Sequence, residues 1–303
     1  MKNAMKIVYS PGYAADIGEH VFPTEKYGMI IELLLREGAV ERGDIIEPEP
    51  PDWGDLETVH TREYIDDLKN ARRTFRTIPS ELPISGEIIR WVILGAGGTR
   101  LACETALKEG ICFHCGGGFH HAFPDHAEGF CYVNDVAYGV KKTLDSGMIK
   151  RAAVIDCDLH QGNGTAYIFG NDDRVFTFSI HQERLYPVKQ RSSLDIGLDD
   201  YTGDDEYLER LDKALEHIFC NFKPEFCLYV AGADPYKNDL LGNLKLTIDG
   251  LKKRDEMVFS RCAENRVPCA VTLAGGYAAD VNDTVRIQAN TAIAAIECWR
   301  KRP

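Results

Sequence analysis

Seven side chains in this sequence have types and spacings that can do chemistry. Asp156, Asp158 and His160 alternate in Asp156-Cys157-Asp158-Leu159-His160. In extended chain, residues two apart point the same way, so three polar groups share one side. Burying them is costly unless something binds them. With Asp234 they give the set Asp158, His160 and Asp234, two carboxylates and one imidazole, which leaves the fourth position of a tetrahedral Zn²⁺ open to water. Such a site is catalytic rather than structural. His120 and His121 follow Gly116-Gly117-Gly118, whose missing side chains let the backbone approach a ligand closely. Adjacent imidazoles need different partners to hold different protonation states, and Asp156 is an acceptor that would raise the pKa of one and fix its tautomer. Tyr277, after Gly275-Gly276, offers a phenolic donor to a developing oxyanion.

Each group alone has a plainer reading, since a single buried His or Asp is usually hydrogen-bonded in a core or caps a helix, and a single Tyr usually packs. The set is harder to dismiss because each member follows its own apolar run. Expected strands are Lys6 to Ser10, Gly110 to His114, Ala152 to Asp156, Val175 to Ile180, Phe226 to Ala231 and Ala270 to Ala274. Their continuous apolar character suits burial on both faces of a parallel sheet. Helical periodicity lies between them, clearest over Tyr207 to Phe222, where Leu208, Leu211, Leu215, Ile218, Phe219 and Phe222 form one stripe, and again over Val285 to Trp299. Alternation of this kind predicts an α/β fold with helices flanking the sheet. In such sheets ligands bind at the carboxyl ends of the strands, so the seven groups should converge in one crevice.

The whole-chain properties narrow the setting. The 303 residues, 44% of them hydrophobic, can bury one large core, and with no internal repeat a single domain over 1–303 is expected. The Pro/Glu-rich stretch Glu47 to Asp52 reads as a surface loop. No run approaches the roughly twenty apolar residues of a membrane span, and Met1 to Ser10 lacks the pattern of a signal peptide. Ten scattered cysteines, several inside apolar runs, read as reduced thiols and point to the cytoplasm. Cys112 and Cys115 form a CxxC without the second ligand pair of a structural zinc site. A net charge of -12 argues against nucleic-acid backbone binding, the segment Lys69 to Arg76 being a short exception.

Five segments in order resemble the histone deacetylase family: Gly116-Gly117-Gly118-Phe119-His120-His121-Ala122, Gly129-Phe130-Cys131-Tyr132-Val133-Asn134-Asp135, Asp156 to Gly164, Gly232-Ala233-Asp234 and Gly275-Gly276-Tyr277. Tyr201 to Leu208 is most similar to the class IV branch. The resemblance implies the arginase/deacetylase-type fold, a mostly parallel sheet of about eight strands between helices, and a zinc ion held by Asp158, His160 and Asp234. It implies that His121 is the general base and then the acid toward the leaving amine, that His120 helps electrostatically through Asp156, and that Tyr277 polarises the acyl carbonyl. Phe130 and Tyr186 match the aromatic walls of an acyl-lysine channel, Gly129 its rim, and Lys26 a basic residue near the product cavity. Backbone carbonyls of Asp156, Asp158, His160 and Ile180, with Ser179, match a structural potassium site.

Two positions separate branches of that family. Asn163 stands where some members place an Asp against the second His, which leaves His121 less basic. Leu241 stands where polyamine deacetylases place a Glu, which favours acyl-lysine, in a protein or peptide, over acylated polyamine. Three readings follow: a zinc deacylase acting on acyl-lysine or another small acylated amine, a non-catalytic acyl-lysine or metabolite binder, and a two-manganese ureohydrolase of the same fold, whose extra Asp and His ligands are missing. No membrane partner is expected, and the oligomeric state is left open.

Overall fold

A computed structural model describes residues 5–300. The outermost parts of the expected 1–303 domain, and of the segment Met1 to Ser10, lie outside the described residues. Eight strands are present: β1 (Lys6–Val8), β2 (Ile45–Ile46), β3 (Ile111–His114), β4 (Ala152–Asp156), β5 (Val175–Gln182), β6 (Leu194–Leu198), β7 (Phe226–Val230) and β8 (Cys269–Thr272). They form one sheet in the order β2-β1-β3-β8-β7-β4-β5-β6, and every pairing is parallel. The expected single-domain α/β fold is thus observed, with a wholly parallel sheet.

Eight α-helices flank it: α1 (Lys26–Arg36), α2 (Arg62–Lys69), α3 (Gly86–Glu109), α4 (Asp135–Asp145), α5 (Asn163–Phe169), α6 (Asp204–His217), α7 (Ile248–Glu264) and α8 (Val281–Arg300). Contacts run α1 to α8 to α7 to α6 in one layer and α2 to α3 to α4 to α5 in the other. The central strands are covered on both sides: β3, β4, β7 and β8 are buried at every position. That is why they read as unbroken apolar runs.

Boundaries differ from the sequence expectation for local reasons. β1 stops at Val8 because Ser10 turns to accept a hydrogen bond from Gly12 N and start a helical turn. β8 begins at Cys269 and stops at Thr272, and Ala274, at φ 48°, has left the extended region. β5 continues two residues beyond Ile180 by pairing with β6. The helix expected over Tyr207 to Phe222 starts earlier, at Asp204, and its last turn, Ile218–Phe222, widens to a π-type turn that ends where Lys223 adopts φ 54°.

The sheet order has one consequence for chemistry. β3, β8, β7 and β4 are consecutive neighbours, and each is followed by one of the reactive segments. Groups far apart in sequence therefore leave the same stretch of the sheet's carboxyl edge.

Candidate active site

Asp156 ends β4, and Asp158 and His160 lie in the turn beyond it. Backbone amides aim both acidic groups. Asp158 accepts from His160 N at 2.9 Å and from Gly275 N at 2.9 Å, and Asp234 accepts from Leu159 N at 3.0 Å. His160 Nδ1 sits 3.2 Å from Asp158 Oδ1 and 3.2 Å from Asp234 Oδ2. One potential ligand atom from each residue lies within 4.8 Å of the others, and all three residues are buried. The crowding requires glycine, since a Cβ on Gly232 would stand 2.5 Å from Asp158 Oδ2 and 2.6 Å from Asp234 Oδ1.

The electrostatics of this cluster fit a cation. Burial alone would lower the His160 pKa, yet Asp158 and Asp234 raise it to about 10. Burial, and then the Asp158 charge, push Asp234 up to about 6. Two buried carboxylates thus draw positive charge to the point that they share with the imidazole, and a small metal ion there meets that demand. Arg254, fully buried on α7, donates to Gly232 O at 2.6 Å and Cys157 O at 3.2 Å, tying together the two segments that bear the acids.

The tandem imidazoles are held from behind. Asp135, at the start of α4, accepts from Gly118 N at 3.0 Å and Phe119 N at 2.7 Å, and also from the Thr99 hydroxyl. Asn134 caps α4 by accepting from Ala137 N at 2.8 Å while its amide donates to His120 O and Ala122 O. His120 Nδ1 lies 2.7 Å from Asp156 Oδ2, His121 Nδ1 lies 2.7 Å from Asn163 Oδ1, and the two Nε2 atoms face each other at 3.1 Å. Against the effect of burial, Asp156 and Asp158 lift His120 to about 9. Burial and the neighbouring His120 hold His121 well below the usual imidazole value. The surroundings therefore push the two rings apart, His120 toward its cationic form and His121 toward its neutral one.

A cavity of about 310 Å³ opens onto this cluster. His121, His160 and Tyr277, each under 10% exposed, form its deep part, and Tyr186, 41% exposed, stands at its mouth. Gly129, Phe130 and Leu241 complete the wall together with Glu81 and Leu185. Asp239 sets two of these positions, accepting from Tyr277 N at 2.7 Å and Leu241 N at 2.9 Å.

Comparison with known proteins decides the family. The histone deacetylase domain matches residues 20–293. The chain belongs to the histone deacetylase family. It is 33% identical over 289 residues to "Histone deacetylase 2" of Arabidopsis thaliana, covering 90% of this chain and 74% of that one. It is 38% identical over 282 residues to an "Uncharacterized protein" of Picosynechococcus sp., covering 92% and 94%. Among solved structures, an "HDAC homolog complexed with SAHA" superposes with a TM-score of 0.84 at 26% identity over 97% of this chain and 84% of that one. Membership in the histone deacetylase family carries hydrolytic deacetylase chemistry and a metal ion.

Within that family frame, the structure gathers nearly all the residues singled out from sequence. Lys26, matched by resemblance to a basic residue near a product cavity, is not among the residues that line the channel, but the Asp234 and Asp158 carboxylates act on its charge. It is fully buried, donates to Ala274 O at 3.0 Å and lies against the Phe22 and Tyr27 rings, and burial lowers it to about 8. Ser179 pairs with Asp156 across β4 and β5, and its hydroxyl lies 2.9 Å from His181 Nδ1. Glu81, Leu185, Asp135, Asp239 and Arg254 were not singled out. Asp135 stands inside one of the five motifs and was visible in principle. The others stand alone among ordinary charged or apolar residues, and only the fold makes them neighbours of the site.

Proposed function

We propose that this chain is a zinc-dependent amidohydrolase that removes an acyl group, chiefly acetyl, from the side-chain amine of lysine in a protein or peptide. The carrying observation is the spacing of the three ligand atoms. A tetrahedral ion with bonds of about 2.0 Å has ligand-to-ligand edges of about 3.3 Å, and His160 Nδ1 stands 3.2 Å from both carboxylates. Asp158, His160 and Asp234 would hold the ion, which supplies Lewis acidity toward the acyl carbonyl and the attacking water.

The chain's own groups do the rest. His121, neutral and lining the cavity, takes the proton of the attacking water on Nε2 and returns it to the leaving amine. His120, kept cationic by Asp156, keeps its neighbour neutral and offsets the negative charge that develops. Tyr277 donates a hydrogen bond from its hydroxyl to the acyl oxygen, as an oxyanion donor does, and keeps its proton. Phe130 and Tyr186 enclose the apolar stem of the substrate, and Leu241 leaves no carboxylate for a second ammonium, which supports acyl-lysine over polyamine. The backbone carbonyls of Asp156, Asp158, His160 and Ile180, with Ser179, would hold a structural potassium ion.

The same reading places the protein in the cytoplasm as one domain spanning 1–303, with no nucleic-acid or membrane partner. Its cysteines form no disulfide among the described residues, and most are buried. No helix among the described residues is long and apolar enough to cross a membrane. In the basic segment, Asp66 and Asp67 pair with Arg72, and Asp67 with Arg76.

The test is a panel of acetyl-lysine peptide, longer acyl-lysine peptides and acetylated polyamines offered to the zinc-loaded protein. Release of acetate from the peptide, with the polyamines poorer, is expected. Tight binding of acetyl-lysine without turnover would mark a binding protein instead, and preference for the polyamines would overturn the assignment of substrate.

A further inference from the structure

Glu128 lies between the tandem imidazoles and the channel wall. Its Oε1 accepts from the Asn163 amide at 2.8 Å and from the Tyr186 hydroxyl at 3.0 Å, while Oε2 faces His126 Nε2 at 3.8 Å. The backbone that presents it is tightly fixed. Glu128 and Cys131 exchange both main-chain hydrogen bonds around Gly129 and Phe130, at φ 47° and 62°, and those two amides donate to Pro79 O and Ser80 O. A left-handed conformation at an aromatic residue is uncommon, and such strain concentrates at functional sites.

The hydrogen-bonding chemistry then runs one way. An ionised carboxylate only accepts, so Asn163 must turn its NH₂ toward Glu128 and its carbonyl toward His121. A carbonyl also only accepts, so His121 must carry its proton on Nδ1 and leave the lone pair on Nε2, the atom that faces His120 Nε2. We infer that Glu128 is a positioning residue that fixes the tautomer of His121 through Asn163 and, with the same oxygen, pins Tyr186 at the channel mouth. The inference rests on the proposed deacylase reading for its kinetic consequence, and its structural half stands apart from it. The burial of Tyr186 and the nearby Glu128 charge raise the phenol's pKa, which keeps it a donor.

The two arms predict distinct effects. Without the carboxylate, Asn163 is free to turn over and Tyr186 to swing away, so Glu128→Ala should lower kcat and raise KM together. Loss of such an outer partner costs on the order of 10- to 100-fold in activity. Glu128→Gln keeps an acceptor oxygen for the Asn163 amide and should recover most of kcat. Tyr186→Phe, which removes only the hydroxyl tie to Glu128, should raise KM by a larger factor than it lowers kcat.

The deciding experiment is ¹⁵N NMR of the imidazole nitrogens in zinc-loaded protein, beside those kinetics. His121 should show a protonated Nδ1 and an unprotonated Nε2 in the parent and in Glu128→Gln, and mixed tautomers in Glu128→Ala. A pure Nδ1-protonated ring with unchanged kcat in Glu128→Ala overturns the inference, and so does loss of kcat in Glu128→Gln equal to that in Glu128→Ala. The NMR arm needs no substrate. A parent protein that hydrolyses no acyl amide therefore sinks the deacylase reading while the tautomer measurement still tests Glu128.

Discussion

At the scale of single residues, the site works by giving like groups unlike surroundings. Two adjacent imidazoles differ because one meets a carboxylate, Asp156, and the other an amide, Asn163. Three buried acids coexist because backbone amides and imidazoles are aimed at them. Two outcomes follow. Asp158→Ala should lose the metal outright, measurable as zinc content after dialysis, because only one carboxylate and one imidazole remain. Tyr277→Phe should keep its zinc and lose on the order of 10² to 10³ in kcat, about 3 kcal/mol, as for other oxyanion donors. Full activity in that variant removes Tyr277 from the chemistry. These seven residues were legible in sequence because their types are rare in apolar surroundings and each follows a strand. Glu128 and Asp239 were not, because a lone acid in a loop reads as a solvated charge until the fold supplies its partners.

At the scale of elements, the strands that carry chemistry were the ones easiest to read, and for one reason. β3, β4, β7 and β8 are covered by helices on both faces, so they are continuously apolar, and the polar residues after them stand out. The two strands not foreseen lack that property. β2 is two residues long, and β6, at the sheet edge, places the exposed Asp195 and the half-buried Gly197 among its apolar positions. A second element-level dependence lies in His60, just before α2. It is fully buried, with Nδ1 2.9 Å from Phe123 O and Nε2 accepting from Asn134 N at 3.1 Å, so it bridges the loop after the tandem His to the cap of α4. Burial lowers its pKa to about 4. Below the unfolded value of about 6.5 the unfolded chain takes up a proton that the folded chain refuses, so stability falls as the pH drops from about 6.5 toward 4. From pH 7 to pH 5 this residue alone should cost about 2 kcal/mol. Urea midpoints at the two pH values check it, and His60→Gln, which keeps a donor and an acceptor without the titration, should show a shallower decline. An unchanged slope would show that His60 is not the source.

At the scale of the whole molecule, strand order converts sequence distance into proximity. The segments after β3, β4, β7 and β8 meet because those strands are consecutive in the sheet, which is how the crevice rule for open α/β sheets takes effect here. The sheet's existence and parallel character could be foreseen from the alternation of runs. The adjacency could not, since periodicity says nothing of which strand lies beside which. Channel geometry was foreseen only through resemblance, because Tyr186 and Leu241 sit in loops whose path the local sequence does not dictate. The whole account turns on one ion joining β4 and β7 at the floor of that channel, and the most direct measurement is acetate release from acetyl-lysine peptide by protein stripped of metal and then titrated with zinc. Activity absent in the stripped protein and rising to a plateau at one zinc per chain is the predicted result. Undiminished hydrolysis by the stripped protein, or a zinc-loaded protein that releases no acetate, would contradict it.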